Sequence, residues 1–318
     1  MTAGAPPVAA VIDVGSNSVL LLTVEVGRDG RARALDEALA TTRLGTGLRG
    51  GGRLDPGALA RTRDVVVDFA TRARARGARR PWAFATAAAR DAVDGAAAAR
   101  DIGAAAGVPL EVLSGEREAA LAYAAVAGAV ETGGAPLLVA DVGGRTTELT
   151  LGVGARVLGS VSLPLGARVL AEAHASDVDG ARAAADAVLD ACAVLARARA
   201  AGARLAASGG TATALAALDL GLVTYEPRRV HGHALAAGAL AARVAGLARL
   251  TVAERAALPG VDAGRGAILL PGAVVLACLA ATLASARIVV SDHAVRHAYL
   301  REKLAEDGVT ADLKALWP

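Results

Sequence analysis

Short hydrophobic runs alternate with amphipathic stretches along this chain, and the two halves repeat the same order. Short apolar or alternating runs joined by tight turns predict three strands at the start of each half. These strands are Val8–Asp13, Val19–Val26 and Arg31–Ala40, and then Leu137–Ala140, Thr147–Val153 and Arg156–Leu163. In each half, helices and strands then alternate. The pattern predicts an α/β fold with mixed sheets.

The remaining elements follow from helical spacing and from short buried runs. Strands are predicted at Trp82–Ala85, Leu110–Leu113, Arg204–Ala207 and Ile288–Val290. Helices are predicted over 55–76, 95–106, from Gly115 to about 131, and over 180–200, 235–250, 252–258, 268–286 and 294–305. Thr42–Arg53 is glycine-rich and is expected to be a surface loop near the first turn.

In each half, the first strand ends in an aspartate that precedes a glycine turn. The two stretches read Asp13-Val14-Gly15-Ser16-Asn17-Ser18 and Asp141-Val142-Gly143-Gly144-Arg145-Thr146. Such turns can point several backbone N–H groups at phosphate oxygens, and a carboxylate there can hold a divalent cation. Either aspartate alone could simply start a turn. Their matched contexts favour one shared metal and phosphate site.

Other candidate residues remain ambiguous when only their neighbours are considered. Ser208-Gly209-Gly210-Thr211 is either a strand-to-helix turn or an anion site at a helix N-terminus. Glu116 and Glu118 can simply complement a helix dipole. Glu148 could be an exposed strand residue and Arg90 a surface cation. His293 and His297 have the spacing of a metal pair but lack a third ligand.

Length and composition limit the classes that remain. A chain of 318 residues can form two domains, and we place the boundary at the glycine pair Gly133-Gly134. Only 2% of residues are aromatic against 54% hydrophobic, so small side chains should pack helices closely on the sheets. The net charge of +3 favours an anionic partner without any basic tail for nucleic acid.

The expected location is the cytoplasm. Cys192 and Cys278 lack metal-ligand spacing and are expected to be buried, which fits a reducing compartment. The N-terminus has no basic segment of a signal peptide. The uncharged stretch 268–286 is interrupted by Pro271 and Gly272, so we expect a buried helix and no membrane span.

Seven motifs, taken together and in order, resemble the exopolyphosphatase and guanosine pentaphosphate phosphatase family of the actin-like ATPase superfamily. They are Ile12–Ser18, Arg43–Leu48, Ala85–Ala92, Leu113–Ala119, Asp141–Gly144, Ser208–Thr211 and Ser291-Asp292. The length is similar to the short, two-domain form of the family. The resemblance implies two actin-like, ribonuclease H-like lobes with the active site in the cleft between them. The lobes would be 1–133 and 134–297, with a C-terminal helix at about 298–318 packing back on the first.

The resemblance also implies hydrolysis of a terminal phosphoanhydride bond in inorganic polyphosphate or in pppGpp, with a link to the stringent response. Glu118 would be the general base and Glu148 a second essential carboxylate. Mg²⁺, or Mn²⁺ in its place, would be held by Asp13, Asp141 and Glu148. The residues implied to bind phosphate are Gly15, Ser16, Asn17, Ser18, Arg90, Gly143, Gly144, Arg145, Thr146, Ser208, Gly209 and Gly210.

Several positions depart from the family pattern. Arg145 stands at a usual third glycine, Ala120 at an arginine and Asp94 at an asparagine, and His293 and His297 replace other residues. These departures leave three alternatives open: a pppGpp 5′-phosphohydrolase, a catalytically weak sensor of polyphosphate or nucleotide, and a kinase of the same superfamily. A homodimer is also left open, whereas partnership with nucleic acid or a membrane is not expected.

Overall fold

The structure is a computed structural model that describes residues 6–48, 52–130, 132–174, 177–313 and 316. The strands are β1 Val8–Val14, β2 Ser18–Val26, β3 Ala32–Thr41, β4 Trp82–Ala85, β5 Leu110–Val112, β6 Leu137–Val142, β7 Thr147–Val153, β8 Arg156–Leu163, β9 Arg204–Ser208, β10 Ala234–Ala236 and β11 Arg287–Val290. The helices α1 to α7 are Pro56–Ala75, Ala87–Asp91, Gly95–Ala106, Gly115–Ala127, Ala167–His174, Val178–Asp190 and Ala193–Ala200. The helices α8 to α13 are Gly209–Asp219, Pro227–Val230, Ala237–Ala248, Val252–Ala256, Leu269–Thr282 and Val295–Glu306, and a short 3₁₀ turn spans Ala263–Arg265.

The first compact unit comprises residues 1–114 and 295–318. Its sheet has the order β3-β2-β1-β4-β5, in which β1 to β3 are antiparallel and β4 and β5 run parallel to β1. Helices α1 and α3 cover one face. Helix α13 packs on the other face, where the ring centroids of Phe84 and Tyr299 are 4.8 Å apart. Beyond α13, the backbone N–H of Ala34 donates to the carbonyl of Leu316 at 2.8 Å.

The second unit, residues 115–294, repeats this topology. Its sheet has the order β10-β11-β9-β6-β7-β8, so β6, β7, β8 and β9 take the places that β1, β2, β3 and β4 have in the first unit. The added strand β10 extends the edge antiparallel to β11. The predicted α/β class, with two mixed sheets flanked by helices, is confirmed.

Alternate residues of each strand point to opposite faces of the second sheet. Leu138 and Ala140 of β6 belong to the large core on one face, under α5, α6, α8 and α12. Leu137 and Val139 point to the other face, where they pack with Tyr123 of α4. Asp141 continues this second series, and its side chain therefore belongs to the α4 face.

The chain passes between units at Ser114–Gly115, whereas the sequence placed the boundary at residue 133. The reason is the packing of α4. Its buried side lies on β6, β7 and β8, so the helix belongs with the second sheet. The predicted C-terminal segment 298–318 belongs to the first unit, together with Val295–His297. Residues 131, 314, 315, 317 and 318 of these two predictions lie outside the described residues, as do 49–51 of the predicted loop.

Two further predictions differ from the structure. The helix expected over 180–200 is divided into α6 and α7 at Cys192, which is extended (φ −84°, ψ 105°) and buried. The division lets α6 pack on α12 while α7 packs beneath β7, which one straight helix could not do. Leu235 and Ala236, expected at the start of a helix, belong to strand β10 instead. No helix in the described part of the chain is long and apolar enough to cross a bilayer.

Two arginines in the last turn of α1, Arg72 and Arg74, hold this helix against its neighbours. Arg72 pairs with Asp36 of β3 at 2.8 Å. Arg74 donates from Nη2 to the carbonyls of Ala106 and Gly107 at 3.0 and 2.8 Å. These contacts hold α1 against β3 and the end of α3.

Replacement of Gly152 by alanine is expected to lower stability, because there is no room for a Cβ beneath α4. An added Cβ would lie 2.4 Å from Cζ of Tyr123 and 2.6 Å from the carbonyl oxygen of Arg156. Overpacking of this kind costs about 1–3 kcal/mol. The thermal unfolding midpoint should fall accordingly.

The control for this prediction is Gly246→Ala in α10, where a Cβ would meet nothing within 4 Å. Alanine is favoured over glycine inside a helix by about 1 kcal/mol, so this midpoint should stay or rise. Equal midpoints for Gly152→Ala and the wild type would contradict the tight packing of α4 on β7.

Candidate phosphate-binding site

A row of polar side chains crosses the α4 face of the second sheet. In the strand register, Asp141 of β6 lies directly opposite Glu148 of β7, and Glu148 lies opposite Ser162 of β8. On the other side of Asp141 the parallel partner is Ser208 of β9. Directly opposed residues share a face of the sheet. Four neighbouring strands therefore contribute Ser162, Glu148, Asp141 and Ser208 to one line.

Glu148 is the most buried carboxylate of this row, with only 3% of its surface exposed. Burial, and after it the negative charges of Glu118 and Asp141, raise the pKa of Glu148 to about 8, against hydrogen bonds from Thr146 and Ser162 that lower it. The hydroxyl of Ser162 donates to Oε1 of Glu148 at 2.8 Å. Three carboxylates thus concentrate negative charge at one place, where a cation would be favoured.

Glu118 reaches this place because α4 is fixed to β7, the strand that carries Glu148. The hydroxyl of Thr150 donates to the carbonyl of Ala119 at 3.2 Å, and Tyr123 Oη donates to the carbonyl of Gly154 at 2.9 Å. Thr150 lies two residues beyond Glu148 on the same face of β7, and Gly154 lies in the turn that follows this strand. Glu118, in the first turn of α4, is half-buried and electrostatically coupled to Glu148.

The turn between β6 and β7 is fixed by hydrogen bonds that its backbone carbonyls accept from the start of α5. The N-terminus of α5 donates from Ala167 to the carbonyl of Gly143 at 2.9 Å and from Arg168 to that of Gly144 at 2.8 Å. In a trans peptide the N–H points opposite to the C=O. The N–H groups of Gly144 and Arg145 are therefore directed away from α5, which is the arrangement needed to bind an anion.

Helix α8 starts beside the same turn. Gly209 has φ +81°, and a Cβ there would lie 2.4 Å from Oδ1 of Asp141. Ser208 is completely buried, and its hydroxyl finds no hydrogen-bond partner among the described residues. A buried hydroxyl without a partner is costly, so a ligand oxygen at the start of α8 would relieve it.

Arg265 is a cation at this site that sequence reasoning missed. A Cβ at Gly210 would lie 1.8 Å from its Nη2, so the guanidinium rests directly on the first turn of α8. Arg265 comes from the 3₁₀ turn, far along the chain, and no motif marks it. The positive end of a helix dipole disfavours a cation by itself, so a guanidinium there favours an anion beside it. Asp141 is one such anion, because its carboxylate lies against Gly209.

The first unit contains a turn of the same construction. Gly15 N–H donates to the carbonyl of Ser18 at 3.0 Å, just as Gly143 N–H donates to that of Thr146 at 2.9 Å. The predicted glycine-rich loop lies beside this turn, since Gly45 N–H donates to the carbonyl of Ser16 at 2.8 Å. Ser16, Asn17 and Ser18 are buried.

Asp13 and Arg90 lie at the same edge of the first sheet as this turn. Asp13 is opposite Leu20 and Phe84 in the register. Arg90 is in α2, the helix directly after β4, and its Nη1 donates to the carbonyl of Leu113 at 3.2 Å. The predicted phosphate-binding residues of the first unit are thus gathered at one edge.

The predicted site residues therefore form one group in each unit. Glu118, Asp141 and Glu148 converge in the second, beside Gly143–Thr146 and Ser208–Gly210, while Asp13 is in the first. Among the described residues, no three His, Cys, Asp or Glu side chains are grouped so as to hold a metal ion by themselves. His293 stacks on His231, with ring centroids 4.7 Å apart.

Comparison with known proteins identifies the family. The profile of the Ppx/GppA phosphatase family matches residues 24–307. Exopolyphosphatase 2 of Mycobacterium tuberculosis is 32% identical over 307 residues, which cover 89% of this chain and 94% of that protein. Exopolyphosphatase 1 of Mycobacterium bovis is 30% identical over 92% of this chain and 87% of its own length. The crystal structure of the Aquifex aeolicus Ppx/GppA family member superposes with a TM-score of 0.75 at 26% identity, over 95% of this chain and 98% of the other.

The buried Glu148 should make the metal-free protein less stable as the pH rises. Its pKa in the folded state, about 8, lies above the value of about 4.3 in an unfolded chain. The protonated carboxyl therefore stabilises the fold fully below about pH 4, and this contribution is lost as the pH rises towards 8. The slope can reach about 1.4 kcal/mol per pH unit.

Urea unfolding in EDTA at pH 5, 6.5 and 8 would measure this dependence. Glu148→Gln should flatten it, whereas Glu172→Gln, at an exposed position of α5, should not. If the stability of Glu148→Gln depended on pH in the same way as that of the wild type, the raised pKa of the buried Glu148 would be contradicted.

Proposed function

Because the chain belongs to the Ppx/GppA phosphatase family, we propose that it is an exopolyphosphatase that releases orthophosphate from the end of inorganic polyphosphate. The observation that carries the proposal is the convergence of Glu118, Asp141 and Glu148 beside the glycine turn of the second unit. Hydrolysis of a phosphoanhydride requires a base for water and groups that neutralise phosphate charge. The second unit supplies both.

Glu118 is assigned as the general base. It stands in the first turn of α4, is half-buried, and is held there by the anchors of α4 on β7. Water attacks the terminal phosphorus and the bond from that phosphorus to the bridging oxygen breaks. The proton of the water passes to Glu118. The shortened chain leaves with the bridging oxygen, and orthophosphate is released.

Backbone N–H groups and arginines would bind the phosphate oxygens. In the second unit these are the turn Gly143–Thr146, the start of α8 at Ser208–Gly210, and Arg265. The buried hydroxyl of Ser208 supports an oxygen ligand at this point. In the first unit we assign phosphate binding to Gly15–Ser18 and Arg90, and Asp13 is the carboxylate of that unit that would hold a cation.

The donor set fits Mg²⁺, which often takes one or two carboxylates and completes its shell with water and substrate phosphate. Asp141 and Glu148 are the pair that would hold it, and their mutual repulsion supports a cation there. When bound, Mg²⁺ neutralises charge on the phosphoryl oxygens. Mn²⁺ has the same preference for oxygen ligands.

Substrate choice between polyphosphate and pppGpp is decided by assaying both. Orthophosphate release is measured from long-chain polyphosphate and from pppGpp, each with Mg²⁺ and with EDTA. The proposal predicts faster release from polyphosphate and none in EDTA. Faster release from pppGpp would reassign the protein as a pppGpp 5′-phosphohydrolase, and binding without release from either would make it a sensor.

Glu118→Gln should abolish orthophosphate release from polyphosphate, because the amide cannot take a proton from water. General-base catalysis contributes about 10²–10⁴-fold, so the loss should be at least of that order. The matched control is Glu116→Gln, an exposed carboxylate in the same helical turn, which should retain the wild-type rate. Unchanged release by Glu118→Gln would refute the assignment of the base.

Arg145→Gly, which restores the usual glycine of the turn, should raise KM for polyphosphate with little change in kcat. The half-buried Arg145 lies between Gly144 and Thr146 at the proposed phosphate turn, where its charge would add affinity for the chain. Steady-state kinetics with chains of defined length measure both constants. Complete loss of kcat would instead make Arg145 a catalytic residue.

A further inference from the structure

The hydroxyl of Ser162 is the outermost member of the polar row and contacts Glu148 directly. It donates to Oε1 of Glu148 at 2.8 Å across the β7–β8 pair. Ser162 itself is exposed on the edge strand β8, whereas Glu148 is 3% exposed. A solvent-side hydroxyl thus holds one oxygen of a buried carboxylate.

Glu148 needs such a constraint because its neighbours repel it. The charges of Glu118 and Asp141 both act on its carboxylate. A glutamate side chain with three rotatable bonds can relieve repulsion by turning away, unless hydrogen bonds fix it. The side chain of Thr146 provides one bond from the phosphate turn and Ser162 provides the other from β8.

The position of Ser162 depends on an irregularity in the hairpin. Next to the turn between β7 and β8, Gly152 pairs with Val157. The next pair along the strands is Leu151 with Gly159, so the register shifts by one residue at a β-bulge in β8. Without this bulge, the register of the hairpin end would continue and place Val161 opposite Glu148. The extra residue therefore brings a hydroxyl, and not an apolar side chain, to the buried carboxylate.

We propose that Ser162 is a positioning residue that orients the carboxylate of Glu148 towards the cation held with Asp141. This inference rests on the proposed function for its catalytic consequence. Hydrogen-bond partners of metal-ligating carboxylates fix the ligand's orientation, and their loss costs about 10–100-fold in metal affinity or activity. In this scheme Ser162 contacts neither the attacking water nor the phosphate, and it acts only through Glu148.

The test compares Ser162→Ala, Ser162→Thr and Ser160→Ala with the wild type. Threonine keeps the hydroxyl and suits a strand, so it is the conservative rescue. Ser160 is exposed on the same strand and faces Thr150, two positions from Glu148, which makes it the matched control. For each full-length protein, Mn²⁺ binding is measured by electron paramagnetic resonance, and kcat and KM are measured with polyphosphate.

Ser162→Ala should weaken Mn²⁺ binding about tenfold and lower kcat about tenfold, with KM for polyphosphate within about twofold. Ser162→Thr should restore both values, and Ser160→Ala should match the wild type. Wild-type Mn²⁺ affinity in Ser162→Ala, an equal loss in Ser160→Ala, or no Mn²⁺ binding by any variant would overturn the inference. If the wild type binds Mn²⁺ but releases no orthophosphate, the proposed function fails while the Mn²⁺ comparison still decides the role of Ser162.

Discussion

Repulsion among carboxylates that one sheet face brings together is the constraint on which the site depends. The register sets Asp141 against Glu148, and α4 adds Glu118 to the same place. Burial adds to the cost, because it also disfavours the ionised form of Glu148, and the hydrogen bonds from Thr146 and Ser162 offset it only in part. Under the proposed function, a bound cation would offset this cost. The hydroxyls around Glu148 and the tight docking of α4 keep the carboxylates from separating.

The duplicated architecture explains why chemistry is assigned to one unit. Each unit has an aspartate at the end of its first strand and the same four-residue turn after it. In the first unit the residues opposite Asp13 are Leu20 and Phe84, whereas those opposite Asp141 are Glu148 and Ser208. The first unit therefore has the same glycine turn, but Asp13 faces neither a second carboxylate nor a buried hydroxyl. The two units thus share the backbone of the turn and differ in the residues that face the aspartate.

Sequence periodicity was sufficient where a pattern is local. Thr147–Val153 and Arg156–Leu163 have the predicted bounds, and both glycine turns lie where they were expected. Periodicity was insufficient where tertiary packing determines the structure. No local pattern divides the alanine-rich stretch at Cys192, and none assigns α4 to the second sheet. The role of Ser162 depends on a bulge that a simple hairpin register would not include, and Arg265 reaches Gly210 only through the tertiary fold.

The most direct test of the central claim is the position of a cation relative to the carboxylate row. Crystals of the protein soaked in Mn²⁺ would be measured for anomalous scattering near the manganese edge. The account predicts a single strong peak within bonding distance of carboxylate oxygens of Asp141 and Glu148. A peak elsewhere, or none at a Mn²⁺ concentration that supports orthophosphate release, would contradict it.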